Sequence, residues 1–238
     1  MPPHRRRRSK GRTEDGANAT LPATFLDALS EPVTVFTDYV LGSAALLGGI
    51  RLAKKSRAPG HAATALWAAG FFSLSAGAFL GGTWHGFSPR LPAAAGAVLW
   101  KGTLAAAGAA SFFLLAGAAF AYLGVRKARW LTGIAALKLA VFLAWAGSHD
   151  GFEGVIVDSA LSMAVILALA TTAWRRGRDP AAPWILSGIL LSAAGAAIEA
   201  AGVTPGDLVS HDDLYHVVQT GAVYLLFRGG RLFDQSRT

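Results

Sequence analysis

The sequence predicts an all-α integral membrane protein: a bundle of seven transmembrane helices, N-terminus outside and C-terminus cytoplasmic. Three observations carry the prediction. The 238 residues are 53% hydrophobic and only 15% charged, with a mean hydropathy of +0.42, against a charged fraction of about 25% in soluble domains. From Pro32 onward, apolar stretches of roughly 17 to 30 residues recur, each closed by a short polar or basic joint, and that is the length a helix needs to cross a bilayer. The cations concentrate in alternate joints. No segment sustains the alternation of about ten residues expected of a barrel strand.

Residues 1–31 are polar, carry Arg5, Arg6, Arg7, Arg8, Lys10 and Arg12, and lack an apolar core that could act as a signal peptide. They read as a disordered basic tail. The seven-helix domain follows over 32–233, and 234–238 form a C-terminal cytoplasmic tail. The first span is Val33 to Ile50, entered through Pro32, and the second, Ala62 to Trp84, ends on an interfacial tryptophan. Ala93 to Leu123 follows a Pro-containing joint, and Trp130 to Ala146 follows Arg126, Lys127 and Arg129. Gly154 to Trp174 ends at Arg175 and Arg176, and Pro183 to Gly202 has proline at its start, where a helix tolerates it. The seventh, Leu208 to Phe227, begins after a turn and helix N-cap at Pro205, Gly206 and Asp207, which draws His211, Asp212 and Asp213 into the helix. Small residues such as Gly42, Gly48, Gly70, Gly77, Gly108, Gly117, Gly188 and Gly195 allow close helix approach in lipid.

The chain has 22 Lys and Arg against 14 Asp and Glu, a formal charge of +8. In a polar sequence this would suggest nucleic acid; on an apolar background it marks loops bordering a membrane, so the partners are membrane lipids and not nucleic acid. Thirteen cations lie on one side: Arg51, Lys54, Lys55 and Arg57; Arg126, Lys127 and Arg129; Arg175, Arg176 and Arg178; Arg228, Arg231 and Arg237. The opposite joints hold Arg90 alone, and the positive-inside rule makes that side external. The absence of cysteine excludes disulfides, thiol nucleophiles and Cys-ligated zinc, leaving His and carboxylates for any metal.

Counted from the joints, the ionisable residues of the spans gather in the outer half: Asp38, His85, Lys101, Asp158, Glu199, Asp212 and His216, with His149, Asp150 and Glu153 in an outer joint. Each costs roughly 2.5 to 3.5 kcal/mol to insert, so a facing group of them is a functional-site hypothesis. Asp212, His216 and Gln219 follow i, i+4, i+7 spacing on one helix, and Asp158 and Ser162 form an i, i+4 pair. A carboxylate and a histidine one turn apart, with a third ligand from another helix, can hold one cation and leave a position for an activated water; Asp212, His216 and His85 meet that description. Asp158 and Lys101 are the candidate catalytic groups. Asp158 would orient or deprotonate the water, while Lys101 would pair with a buried carboxylate such as Asp38 or Asp158, or snorkel outward beside Trp100. Lys138, near mid-span, pairs with a carboxylate or lines water. Asp38, Glu199, His211 and Gln219 complete the outer polar cavity, with His211, like His149, reading more readily as a plain loop or rim residue. Asp213 is expected to face solvent or headgroups, and Ser111 to bond its own helix.

A His ending the second span in Gly81-Gly82-Thr83-Trp84-His85-Gly86-Phe87, and a His-bearing seventh span in His211-Asp212-Asp213-Leu214-Tyr215-His216, resemble the CREST superfamily, which includes alkaline ceramidases and adiponectin receptors. The resemblance implies a divergent bacterial member, in the cell's inner membrane, acting as a zinc-dependent hydrolase of a lipid amide or ester from the outer leaflet. His85 and His216 match position by position. Gly81 stands where the family has Ser, Lys101 is the ionisable residue of the third span where the family has Asp, and Asp212 replaces the first histidine of a His pair. The same cluster also fits a proton- or ion-coupled transporter or a membrane sensor, with Asp38, Lys101, Lys138, Asp158 and Glu199 as a relay. A haem held by His85 and His216, or a purely structural role, are further readings.

Overall fold

The computed structural model describes residues 29–57, 60–177, 179–204, 206 and 209–233. The basic tail up to residue 28, the residues Pro205, Asp207 and Leu208, and the C-terminal 234–238 lie outside the described residues. Seven α-helices account for nearly all of the rest: α1 Pro32–Lys55, α2 Ala62–Phe87, α3 Ala93–Tyr122, α4 Val125–Ser148, α5 Glu153–Gly177, α6 Ala182–Ala201 and α7 His211–Gly230. A single 3₁₀ turn, Ser88–Arg90, links α2 to α3. Six of them, α1 to α6, are long and apolar enough to cross a membrane. The seventh does not share that apolar character, because its first turn is His211-Asp212-Asp213.

The helices start close to where hydropathy places them but run on at the basic joints: α1 continues to Lys55 and α4 begins at Val125. Arginine and lysine are good helix formers, so a change of polarity there does not end a helix. Sequence neighbours pack in order, and α7 closes the ring against both α6 and α1 while α3 also touches α5. Successive helices alternate in direction. The starts of α1 and α7 meet the end of α2 at one end, and at the other Lys55 of α1 donates to the Arg231 carbonyl after α7. Alternate joints therefore share an end, as the charge sorting requires.

Trp67 is the wedge of the core. It is fully buried, its Nε1 donates to the Leu226 carbonyl of α7 at 3.2 Å, and its ring lies edge-on to Phe233. Gly230 makes room for it, since a Cβ there would sit 2.4 Å from the indole. Helix α4 is the loosest member: it buries only Ala128, Ala135, Phe142 and Ala146 and presents Trp130, Ile134, Leu137 and Val141 outward.

Candidate functional site

Two separate polar groups lie inside the bundle. The first joins the beginnings of α1 and α7 to the ends of α2 and α6. Asp38 is almost completely buried on α1, and its Oδ1 lies 3.2 Å from Nε2 of His216 on α7. The other ring nitrogen of His216, Nδ1, is 3.3 Å from Thr37 Oγ1, which is also 3.1 Å from the Thr34 carbonyl. These contacts allow two proton arrangements. A doubly protonated ring donates to both Asp38 and Thr37, leaving the Thr37 hydroxyl to the Thr34 carbonyl; a ring protonated only at Nε2 takes the Thr37 hydroxyl at Nδ1 instead. One proton more or less is thus accommodated without moving a heavy atom.

Asp38 reaches this position because α2 offers no side chain in its path. A Cβ on Gly82 would lie 2.8 Å from Asp38 Cβ, and one on Gly81 would lie 3.7 Å from Asp38 Oδ2. His85, one turn further along α2, has its Nδ1 2.7 Å from Glu31 Oε2, while Ser30 Oγ donates to the His85 carbonyl at 2.8 Å. The segment preceding α1 is therefore fastened over the end of α2. His85 and His216 are close enough to interact electrostatically, as are Asp38 and Asp212.

On the other side of α7, Glu199 of α6 meets His211 and Asp212. His211 Nε2 is 3.8 Å from both Glu199 Oε1 and Asp212 Oδ1, and one ligand atom from each of the three lies within 4.8 Å of the others. Glu199 Oε2 is buried without a hydrogen-bond partner. Gln219 pairs with Ser192 of α6, accepting from its Oγ at 2.9 Å and donating to its carbonyl at 3.1 Å. The stripe Asp212, His216, Gln219 is thus divided between two neighbours. At about 100° per residue, His216 is rotated roughly 40° from Asp212 and Gln219 about 20° the other way. That is enough to aim His216 at α1 while the other two face α6.

The expected ligand set His85, Asp212 and His216 is accordingly distributed over three carboxylate partnerships. Among the described residues, the group whose ligand atoms converge is Glu199, His211 and Asp212. Asp213 is buried, not solvent-facing. Its Oδ2 accepts from Ser210 N at 2.8 Å and its backbone N–H donates to Ser210 Oγ at 3.2 Å, a capping box. Its Oδ1 accepts from Thr34 Oγ1 at 2.9 Å, tying the start of α7 to α1.

The second group lies between α3, α4 and α5. Lys138 Nζ pairs with Asp158 Oδ1 and donates to the Asp158 carbonyl and to Ser111 Oγ, both at 3.1 Å. Ser111 in turn donates to Ser162 Oγ at 2.9 Å, so it bridges helices instead of bonding its own. Asp158 therefore belongs to Lys138 and stands apart from the histidines. Lys101 snorkels to the rim, 2.8 Å from exposed Asp150 Oδ1 and donating to the His149 carbonyl at 2.7 Å beyond the end of α4. Neither candidate catalytic residue joins the histidine–carboxylate group.

Residues 33–235 match DUF6962, a family of unknown function. The chain belongs to this family. No curated protein and no solved structure matches it. The matched region covers the seven helices except Pro32, the first residue of α1. Sequence reasoning missed the capping role of Asp213 and the docking of Glu31 on His85. Ser210 three residues before Asp213 was a readable signal for the first; Glu31, 54 positions before His85, carried none.

Proposed function

We propose that the chain is a multi-pass membrane protein whose histidine–carboxylate end faces outward and binds a divalent cation, zinc in the first instance. It acts there as a metal-dependent hydrolase of a lipid amide or ester from that leaflet. The observation that carries this reading is the convergence of Glu199, His211 and Asp212 within 4.8 Å beside the buried Asp38–His216 pair. Two carboxylates and an imidazole are a donor set suited to zinc, and the unpartnered Glu199 Oε2 is an acceptor without a donor. Glu199, His211 and Asp212 would hold the ion, which would lower the pKa of a bound water and polarise a carbonyl.

The residues around it have their own tasks. Asp38 fixes the ring of His216 in orientation and favours a proton on Nε2, while Thr37 follows the state of Nδ1, so His216 can hold or release a proton at that nitrogen. Trp84, Trp100 and Phe152 pack in sequence at the same end as tilted ring pairs, with centroids 4.7 and 6.3 Å apart, and form an apolar rim of the kind found at a membrane interface.

The transporter reading joins Asp38, Lys101, Lys138, Asp158 and Glu199 in one relay, but the Lys138–Asp158 pair is held by α3, α4 and α5, whereas Asp38, Glu199 and the histidines they meet are held by α1, α6 and α7. A relay joining them is not favoured.

Metal analysis of detergent-purified protein tests the ion. Stoichiometric zinc in the wild type that is lost in His211→Ala and Asp212→Asn is the expected result; metal-free protein, or zinc unchanged in both variants, overturns it. Chelator-sensitive release of fatty acid from ceramide-type amides or from lipid esters tests the hydrolase, and a zinc-loaded protein inactive on both classes refutes that part. Flux driven by a pH gradient in proteoliposomes, abolished by Lys138→Ala, would favour the transporter instead.

A further inference from the structure

The outward face of α4 carries a groove of about 780 Å³ lined by Val125, Arg126, Arg129, Trp130, Gly133, Ile134 and Leu137. That volume lies in the range of small-molecule sites, roughly 300 to 1,000 Å³. Its two halves differ chemically. Toward mid-helix it is apolar: Trp130 and Leu137, 74% and 67% exposed, flank Gly133, where a Cβ would meet nothing within 4 Å. At the start of the helix it carries Arg126 and Arg129, exposed and without an acidic partner among the described residues. Three other cations at this end of the bundle are engaged. Arg228 stacks over Trp184 at 4.3 Å and donates to Tyr224 at 3.0 Å, Arg231 lies over Phe227, and Lys55 bonds a carbonyl.

We infer that this groove binds one anionic phospholipid, its phosphate held by Arg126 and Arg129 and one acyl chain laid along Trp130, Gly133, Ile134 and Leu137. Arginine presents a planar fork suited to phosphate, and an acyl chain is the apolar partner available beside it in a bilayer. A second copy of the chain fits less well. A two-fold pairing of α4 faces within one membrane would set Arg126 and Arg129 against their own counterparts, a like-charge contact with no carboxylate to relieve it. The occupant is thus chosen by charge complementarity at one end and apolar continuity at the other.

The inference rests on the membrane placement proposed above, which resistance of the membrane-bound protein to alkaline extraction tests separately. The full chain in detergent is titrated with phosphatidylglycerol or phosphatidylcholine, and bound lipid is counted by native mass spectrometry. One phosphatidylglycerol should be retained about tenfold or more tightly than phosphatidylcholine, because its net negative charge meets both Arg126 and Arg129. Arg126→Gln/Arg129→Gln should erase the preference, and Gly133→Leu should weaken both lipids by filling the floor of the groove. Arg175→Gln/Arg176→Gln, at the end of α5, should leave the preference intact. Equal retention of the two lipids by the wild type, loss of preference in the α5 variant to the same extent, or a dimer that Gly133→Leu dissociates would each overturn the inference.

Discussion

Replacing Lys138 with methionine tests the energetics of the bundle most directly. Asp158 is 4% exposed and Lys138 19% exposed at the side chain. The ammonium spends its three donors on Asp158 Oδ1, the Asp158 carbonyl and Ser111, while Asp158 Oδ2 is buried without a partner. Removing the ammonium leaves a buried carboxylate with no opposite charge, which costs about 3–5 kcal/mol, whereas replacing both partners with apolar groups is often neutral or stabilising. For a chain of this size each kcal/mol moves the melting temperature by about 2–4 °C, so Lys138→Met should lower it by about 6–20 °C. Lys138→Met/Asp158→Leu should recover most of the loss. Thermal unfolding in detergent, followed by tryptophan fluorescence, reads both. A single variant within 2 °C of the wild type by this scale, or a double variant as unstable as the single, would refute the reasoning. The double variant also separates roles: metal content at the other end should be unchanged in it.

Three further outcomes follow from local geometry. Gly82→Ala forces a Cβ to 2.8 Å from Asp38 Cβ and should cost about 1–3 kcal/mol in thermal unfolding, while Gly96→Ala, with open space around its Cβ, should be neutral or stabilising. Ser210→Ala removes the cap of α7 and should cost about 1 kcal/mol by the same assay. Thr37→Val keeps the volume but deletes the hydroxyl beside His216 Nδ1, at about 1 kcal/mol, and should shift the imidazole ¹⁵N resonances of His216 without altering those of His85.

The helices were legible because hydropathy is a local property: an apolar run between joints fixes a helix whatever its neighbours, and six of the seven are apolar enough to cross a membrane. The alternation of cations was legible for the same reason. Pairing inside the bundle was not, since it depends on which neighbour each face meets. Asp212 and His216 share a stripe, yet α7 lies between α1 and α6, and a rotation of about 40° assigns them to different helices. Asp158 and Lys101 were counted with the histidines by depth alone; depth says nothing of position around the ring, where α3, α4 and α5 hold Asp158. Gly81 read as the absence of a serine, and Gly82 as nothing more than a small residue beside it. In the structure they are the gap through which Asp38 enters from α1.

The two polar groups also differ in their charge balance, and this leads to the sharpest test of the proposed site. Lys138 and Asp158 neutralise each other. At the other group, Asp213 is absorbed by its capping box, but Asp38, Glu199 and Asp212 face only His216 and His211, with no lysine or arginine paired to them among the described residues. Crowded carboxylates with too few cations repel, and they become stable when a proton or metal ion supplies the missing charge. Substituting Glu199→Gln should therefore act with opposite sign in the two forms of the protein. In chelator-treated protein it removes a repelling charge and should raise the melting temperature. In zinc-loaded protein it removes a ligand and should lower it, because an ion at free concentration c that binds only the folded state stabilises by RT ln(1 + c/Kd), and a lost ligand raises Kd. A shift of the same sign in both forms would show that the excess acid is not held there for a metal.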